Sequence, residues 1–500
     1  MSTILLRNGL LTTFVNSDGP LATPTPRRAD VLIKGDTIAA VEAPGSIKVE
    51  DGDGTLVIDC QDKWIAPGFV DTHRHLWMSV VDNQEDWTLV EYLAKLTWTT
   101  TALVTAEDVY AGQLAGSLQA IHGGTTTVLD HFHSANSPAH VESAVQASAE
   151  SGLRILLCVS RQSTQTNIDP LEFADDAAVA EWQVSLIEQL ADKDNGNLTP
   201  DKRVTLGLAY DVQGYDPDAD SRIFALARAK NIKPITAHYP GGPHTPRHDK
   251  VVKRWNEAGL LSDDIVMSHC TGLKHLGGSD EELEWTLMKE KGVGVSVTPE
   301  DELGMGHGDP VAYEAIRRGV KVGLGIDCAS ILSTEMFPAM HFALQWERGQ
   351  MHAKTAYNTP TPKANKHNTY SCASAFRLAT LGGAECVNMA DRIGTIEPGK
   401  LADIVLYDAL SPNLAGCSDP FRGIAIHATG QDVEWVIVNG KVVKKAGRLA
   451  PVTTASGIED WLAVAKRLRE RQEVLRGKLS QYDLEDRYSR VVKSLGTTFA

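Results

Sequence analysis

Five side chains that can bind a metal ion or move protons stand at the ends of short apolar runs in this chain. His73 and His75 are two residues apart, and residues two apart in an extended segment point the same way. His238, His269 and Asp327 each end a later apolar run. Imidazole and carboxylate are common ligands of zinc and iron in catalytic sites. The pattern predicts one divalent metal ion, zinc in preference to iron, and a water activated beside it.

The apolar runs alternate with helical stretches from Trp64 onwards, which is typical of βαβ units in a parallel sheet. Eight such runs predict a (β/α)8 barrel, in which catalytic side chains gather at the carboxyl ends of the strands. The predicted barrel strands are Gly68–Thr72, Thr125–Asp130, Arg154–Ser160, Val204–Ala209, Lys233–His238, Asp264–His269, Gly292–Thr298 and Lys321–Asp327.

Both ends of the chain are predicted to form strands outside the barrel. Residues 1–66 hold β-rich runs broken by Gly, Asp and Pro, and similar runs return near Gly399, with Asn439-Gly440 as a hairpin turn. We therefore predict an α/β protein whose TIM barrel (67–398) is inserted in a small β-sandwich domain built from both chain ends (1–66 and 399–450). Residues 451–500 are charged and periodic and are expected to form a C-terminal helical tail.

The composition limits the classes of partner and location. A formal net charge of −16 over 500 residues disfavours nonspecific nucleic-acid binding, because phosphates would be repelled. Seven scattered cysteines without a CxxC pair favour reduced thiols over a disulfide framework. The N-terminal apolar run contains Arg7 and lacks a signal-peptide cleavage site, and no stretch reaches the roughly 20 apolar residues of a membrane span. We expect a cytoplasmic protein that acts on a small molecule.

Taken together, the motifs resemble those of the amidohydrolase superfamily. The matching runs are APGFVDTHRH, GGTTTVLD, TAH, MSHC, VGLGIDCAS and RIGTIEPGKLADIVLYD, within residues 4–443. The chain looks like the mononuclear-metal branch that holds cytosine, guanine and 8-oxoguanine deaminases and triazine chlorohydrolases. The resemblance implies a homo-oligomer, dimer or tetramer, and a hydrolase acting on a C–N bond of a small cyclic or heteroaromatic substrate.

The resemblance also implies a role for each of the five side chains. His269 would contact the attacking water or the substrate oxygen, and Asp327 would accept a proton from that water and return it to the leaving group. The fourth predicted strand is followed by Tyr210-Asp211 without a lysine, so a carbamylated bridge to a second metal is not expected. The implied metal ligands are His73, His75, His238 and Asp327.

One position departs from the deaminases of this branch. They usually carry a glutamate three residues after the fifth-strand histidine, where it protonates a ring nitrogen, and this chain has Gly241 there. Because glycine cannot move a proton, deamination and the opening of a cyclic amide both stay open. Glu300 and Glu302, after the seventh predicted strand, are either the replacement acid or loop carboxylates that are solvated or in salt bridges.

Other residues are weaker candidates for substrate contact. Trp77 either stacks on a planar ring or belongs to the core. His131, after the second strand, either lines the pocket or is a hydrogen-bonded structural histidine. Arg161, at the end of the third, either pairs with a substrate carboxylate or carbonyl or forms a structural salt bridge. His244 and His248, in a Gly/Pro-rich loop, are expected to be exposed.

Two other functions are alternatives to hydrolysis. A metal-dependent lyase, such as a decarboxylase, would use the same scaffold with a less demanding protonation pattern. A non-catalytic homologue would have no need to keep all five candidate side chains, which disfavours that hypothesis.

Overall fold

The computed structural model describes residues 2–49, 54–82, 86–161, 165–169, 172–173, 181–211, 217–242, 250–357, 360–361 and 363–494. His244 and His248 lie outside these residues. The strands are β1 (Thr3–Leu11), β2 (Arg27–Lys34), β3 (Thr37–Glu42), β4 (Leu56–Asp59), β5 (Lys63–Pro67), β6 (Phe69–Arg74), β7 (Thr125–Phe132), β8 (Arg154–Arg161), β9 (Gln165–Asn167), β10 (Glu172–Phe173), β11 (Val204–Tyr210), β12 (Ile235–His238), β13 (Ile265–Ser268), β14 (Gly294–Val297), β15 (Lys321–Leu324), β16 (Ile404–Asp408), β17 (Val433–Val438), β18 (Lys441–Lys445), β19 (Arg448–Leu449), β20 (Val452–Thr454) and β21 (Gly457–Glu459).

Helices connect the barrel strands and follow the last hairpin. The α-helices are α1 (Leu89–Tyr92), α2 (Trp98–Leu103), α3 (Ala106–His122), α4 (Pro138–Ser151), α5 (Glu181–Asp192), α6 (Pro217–Ala229), α7 (Val251–Glu257), α8 (Leu273–Leu276), α9 (Gly278–Lys291), α10 (Pro299–Met305), α11 (Ala312–Arg318), α12 (Met336–Ala356), α13 (Cys372–Leu378), α14 (Leu381–Cys386), α15 (Pro420–Arg422), α16 (Trp461–Leu479) and α17 (Leu484–Ser494). Short 3₁₀ or π turns cover Leu76–Val80, Leu93–Thr97, Lys193–Gly196 and Gly423–His427.

Eight parallel strands form the barrel, in the order β6, β7, β8, β11, β12, β13, β14 and β15. Every residue of β6, β7 and β8 is buried, as expected for parallel strands covered on both faces. The predicted barrel is confirmed, with strand ends shifted by a few residues. The fifth strand, for example, begins at Ile235 rather than at Lys233.

The barrel closes where β15 leads into the segment beside β6. Arg74 and Asp327 form a parallel bridge, and the backbone N–H of Asp327 donates to the carbonyl oxygen of His73 at 2.9 Å. The chain passes His73 so closely at Gly325 that a Cβ atom there would lie 2.7 Å from the His73 oxygen. Glycine at this position therefore permits the approach that brings Asp327 to the end of the first barrel strand.

The smaller β domain is one mixed sheet with strands from both chain ends. This confirms the prediction that both ends of the chain build the domain. Its order is β19-β18-β17-β16-β5-β1-β2-β3, with β4 beside β1, and β16 runs antiparallel to β5. Side chains from both halves, including Leu6, Val31, Ile404 and Ile437, share one buried cluster. The residue limits assigned to the four segments of the chain remain predictions.

The C-terminal segment packs on the barrel side of the molecule. Arg471 of α16 contacts Asp108 at the start of α3 at 2.6 Å, and Glu485 of α17 pairs with Lys95. No helix within the described ranges is long and apolar enough to cross a membrane.

A buried ion pair joins the barrel to the mixed sheet. Arg154, at the start of β8, donates to both carboxylate oxygens of Asp403 at 2.8 and 3.1 Å and to the side-chain oxygen of Asn439 at 2.9 Å. The backbone N–H of Asn439 also donates to Asp403, at 2.7 Å. All three side chains are buried, so each depends on the others for its hydrogen bonds.

Replacing Arg154 with alanine should destabilise the protein by about 3–5 kcal/mol, because Asp403 would then be a buried charge without its partner. Urea unfolding would measure the loss. Arg222→Ala is the matched control, since its pair with Glu181 is exposed on both sides and should contribute less than about 1 kcal/mol. Equal effects of the two variants would contradict this account of the domain junction.

Candidate metal centre

The five side chains that the sequence singled out meet at the carboxyl end of the barrel. The carboxylate of Asp327 lies 3.1 Å from Nε2 of His75, 3.6 Å from Nε2 of His73 and 3.5 Å from Nε2 of His269. The ring of His238 lies 4.8 Å from that of His73, between centroids. Side chains from four separate barrel strands or strand ends therefore surround one point.

Each of the four imidazoles is held through Nδ1 by a neighbouring group. The acceptor for His75 is a carbonyl oxygen, which can only accept, so the ring carries its proton on Nδ1 and presents the Nε2 lone pair. The Nδ1 contacts are His73 to Ser268 Oγ at 2.8 Å, His75 to His131 O at 2.6 Å, His238 to Asp211 Oδ2 at 2.9 Å and His269 to Thr298 Oγ1 at 3.0 Å. Such contacts are typical of metal-binding histidines.

The donor set fits a divalent metal ion. His73, His75 and Asp327 each offer a ligand atom within 4.8 Å of the others, and so do His73, His131 and His238. Nε2 of His73 is buried and makes no hydrogen bond, which is costly unless a cation accepts its lone pair. Zinc and iron both take such a mixture of imidazole and carboxylate.

Burial and charge set the protonation of these groups. Burial lowers the pKa of His73 to about 3 and that of His131 to about 4, so both rings are neutral, as metal ligands must be. Burial acts to raise the pKa of Asp327, but the nearby His73 and His75 outweigh it and hold that pKa well below its usual value. The centre thus combines the neutral rings of His73 and His131 with the ionised carboxylate of Asp327.

Asp211 is a site residue that the sequence analysis did not select. It directly follows β11, and its Oδ2 lies 2.9 Å from both Nδ1 of His238 and Nε2 of His131. Burial acts to lower the pKa of His238, but Asp211 reverses the direction and raises it. The available signal in the sequence was its position just after the fourth predicted strand, at the end where catalytic side chains gather.

The acids after β14 have different surroundings. Glu302 is fully buried, accepts the Thr298 N–H at 2.9 Å and lies 3.5 Å from Nδ1 of His269. Glu300 is half-buried and accepts the Ser333 N–H at 3.4 Å. Of the two predicted candidates, Glu302 is therefore the one in contact with a predicted catalytic residue.

Asp301 and His307, which are also absent from the predicted set, lie on the same side of the centre as the acids after β14. Asp301 is 1% exposed, and its Oδ2 is 3.3 Å from Nε2 of His307. Burial raises the pKa of Asp301 well above its usual value, and the neighbouring carboxylate of Asp327 raises it further. No periodic pattern marks these two residues, because they lie in a short helix and the loop after it.

The three remaining candidates are all buried. The indole N–H of Trp77 donates to Nδ1 of His133 at 3.1 Å, and the His133 ring stacks on His75 at 4.0 Å. Trp77 thus supports His75 through His133. Arg161 ends β8 opposite Tyr210 and is fully buried. Substrate contact by Trp77, His131 or Arg161 stays a prediction.

Two residues at the centre have strained backbones. His269 and Asp327 both have φ of +71°, in the left-handed region that residues other than glycine rarely adopt. Each such residue costs of order 1–3 kcal/mol, which persists only where surrounding contacts hold it. For Asp327 these contacts include the barrel-closing hydrogen bond to His73.

A match to a protein family shows to which class this chain belongs. The model described as "Amidohydrolase family" matches residues 64–443 of the chain. The chain belongs to the amidohydrolase family. The resemblance read from the motifs is therefore confirmed.

Two relatives named as nucleoside deaminases are similar to this amidohydrolase over about nine-tenths of its length. A 5-methylthioadenosine/S-adenosylhomocysteine deaminase of Caldanaerobacter subterraneus subsp. tengcongensis is 28% identical over 464 residues, covering 90% of this chain and 95% of the relative. A 5'-deoxyadenosine deaminase of Methanosarcina mazei is 26% identical over 478 residues, covering 88% and 98%.

Solved structures share the fold of this amidohydrolase. An adenosine deaminase from Xanthomonas campestris with bound zinc has a TM-score of 0.76 at 22% identity, covering 95% of this chain and 99% of that one. Atrazine chlorohydrolase from Arthrobacter aurescens, complexed with zinc, has a TM-score of 0.72 at 20% identity, covering 94% and 99%. Zinc is thus bound in structures of the same fold.

The family and the His/Asp centre together define the class of reaction. The protein is a metal-dependent hydrolase that acts on carbon–nitrogen bonds other than peptide bonds, as predicted. Neither the lyase nor the non-catalytic alternative is supported by these comparisons.

Replacing Asp211 with alanine should weaken zinc binding by about 10–100-fold, because His238 would lose the acceptor that orients its ring. Competition with a chelator of known affinity measures the change. Asp192→Ala is the matched control, since Asp192 is exposed and pairs only with Lys230 among its described contacts. Unchanged affinity in the Asp211 variant would show that Asp211 does not position the ligand.

Proposed function

We propose that this amidohydrolase is a zinc-dependent deaminase of adenosine-type nucleosides, with 5-methylthioadenosine, S-adenosylhomocysteine and 5'-deoxyadenosine as the first candidates. The observation that carries the proposal is the meeting of His73, His75, His238, His269 and Asp327 at one point. The deaminases to which the chain is similar along most of its length supply the substrate class.

We assign His73, His75, His238 and Asp327 as the ligands of one zinc ion. This assignment rests on the buried Nε2 of His73 and on the Nδ1 contacts that aim the other rings. When bound, such an ion lowers the pKa of water towards neutrality, so that an attacking oxygen is available at ordinary pH.

The side chains then have separate tasks in deamination. Asp327, ionised at rest, takes one proton from the attacking water and delivers it to the leaving nitrogen. His269, fixed by Thr298 and 3.5 Å from Asp327, orients the attacking oxygen. The oxygen bonds to the carbon that carries the amino group, the C–N bond breaks, and the second proton of the water ends on the product. The products are ammonia and a purine nucleoside that carries a hydroxyl group, or its oxo tautomer, in place of the amino group. The atoms of water and substrate are thus all accounted for.

The surrounding charges suit a neutral substrate ring. Glu302 is fully buried, and burial raises its pKa well above the usual value, which favours its uncharged form. Asp211 is ionised but engaged by two imidazoles. Asp327, 3.1 Å from Nε2 of His75 and 3.5 Å from Nε2 of His269, is the carboxylate that we assign to move a proton beside the attacking water.

The proposal includes an oligomeric state and a cellular location for the protein. The family resemblance favours a homo-oligomer, a dimer or a tetramer, with its site in each subunit. We propose a cytoplasmic location, on the basis of the composition and the cysteine pattern.

Purified protein loaded with zinc should release ammonia from adenosine-type nucleosides. A panel of purine nucleosides, pyrimidines, triazines and cyclic amides, assayed by ammonia detection and by product mass, tests this directly. Removal of zinc by a chelator should abolish turnover, and readdition should restore it. Ring opening of a cyclic amide with no ammonia from any nucleoside would contradict the proposed substrate class.

Asp327→Asn should lower kcat by about 10²–10⁴-fold, since the amide cannot accept the proton of the attacking water. Steady-state kinetics at matched zinc content measure this loss. Asp309→Asn is the control, because Asp309 is half-exposed and pairs with Lys274 on the surface. If the Asp327 variant keeps full activity with its zinc, the proton-transfer role belongs to another group.

A further inference from the structure

The family resemblance implies an acid three residues after the fifth-strand histidine, where this chain has Gly241, and the backbone of His307 stands close to that position. We propose that His307, held by Asp301, is a catalytic residue that donates an N–H hydrogen bond to the substrate ring. This inference rests on the proposed deamination.

The space at position 241 is closed to any side chain. A Cβ atom on Gly241 would lie 2.5 Å from the backbone oxygen of His307 and 3.3 Å from the backbone nitrogen of Gly272. Both neighbours are backbone atoms, which cannot rotate away as a side chain can. A glutamate at position 241 is therefore incompatible with the present course of the loop that carries His307.

The loop that carries His307 is packed against the segment after β12. Gly306 and Gly308 flank the histidine with φ of +79° and +130°, and the His307 N–H donates to the Glu302 carbonyl at 3.0 Å. Thr271 contacts both segments, because its Oγ1 accepts the Gly241 N–H at 2.7 Å and its side chain lies beside Gly308. The absence of a side chain at 241 and the placement of His307 are thus parts of one packing arrangement.

The His307 ring reaches the centre from the side of the seventh strand. Its centroid is 4.7 Å from that of His269, at an interplanar angle of 72°. One ligand atom each of His269, Asp301 and His307 lies within 4.8 Å of the other two, and all three side chains are buried. The His307 imidazole therefore adjoins the residue that orients the attacking oxygen.

Deamination needs a hydrogen-bond donor near that place. Attack on C6 of an adenosine-type ring moves the electron pair of the C6=N1 bond onto N1, so negative charge grows on that nitrogen. A donor already in position stabilises this charge and avoids reorganisation during the reaction. Asp301 lies beside the ring, with its Oδ2 3.3 Å from Nε2 of His307, and we assign it as a positioning residue.

The first test compares four variants with the zinc-loaded wild type on 5-methylthioadenosine. His307→Ala should lower kcat by about 10²–10³-fold, as expected for loss of one transition-state donor. His307→Gln, which keeps an N–H, should recover part of the rate, and Asp301→Asn should lose less than His307→Ala. His341→Ala is the control, because His341 is exposed on α12 and should leave kinetics unchanged. Zinc content and thermal unfolding should match the wild type throughout.

The second test separates a substrate contact from a structural role. A 6-methylpurine nucleoside keeps N1 and has no amino group to lose, and its 1-deaza analogue lacks N1. The wild type should bind the first about tenfold more tightly, the effect of one hydrogen bond of about 1.4 kcal/mol. His307→Ala should bind both compounds equally, whereas a variant damaged only in its packing would keep the preference.

The outcomes distinguish the two levels of proposal. A wild type that neither deaminates nor binds these nucleosides overturns the proposed function and this inference with it. A wild type that is active, with His307→Ala unchanged in kcat and in its preference for N1, overturns the role of His307 alone. A second equivalent of zinc that disappears in His307→Ala would instead make His269, Asp301 and His307 a metal site, and would also overturn it.

Discussion

Closure of the barrel between its last and first strands is the constraint on which the metal centre depends. The carbonyl oxygen of His73 accepts the N–H groups of Ile326 and Asp327 at 3.1 and 2.9 Å, and the Asp327 carbonyl accepts the His75 N–H at 3.2 Å. Three of the proposed ligands are therefore joined through their own backbones. This network also holds Asp327 in its left-handed conformation, whose cost would otherwise favour another orientation of the carboxylate.

Adjacent strands then orient the rings that closure brings together. β7 supplies the carbonyl that fixes His75, the end of β11 supplies Asp211 for His238, and Ser268 of β13 fixes His73. Because the strands are parallel, their carboxyl ends lie side by side, and each ring is held by a neighbour from another strand. The rotamers of the proposed ligands are thus set by contacts within the barrel.

The centre concentrates carboxylates and imidazoles where water is excluded, which is unfavourable for a metal-free protein. Asp327 is ionised, while Asp301 and Glu302 have raised pKa values because they are buried near it. A divalent cation bound among these side chains would offset the charge of the ionised carboxylate. The same low polarity would strengthen every hydrogen bond to a substrate, so that single donors at this centre are expected to affect the rate.

The sequence by itself determined the barrel, the flanking β strands and the five residues of the centre. Those residues end apolar runs, and the geometry of parallel strands then dictates that they meet. Asp211, Asp301 and His307 were decided only by the tertiary structure, since they follow strands in segments without periodicity and owe their positions to neighbours distant in sequence. Gly241 shows the same limit: its lack of a side chain suggested a missing acid, while the fold shows the space filled by the backbone of His307.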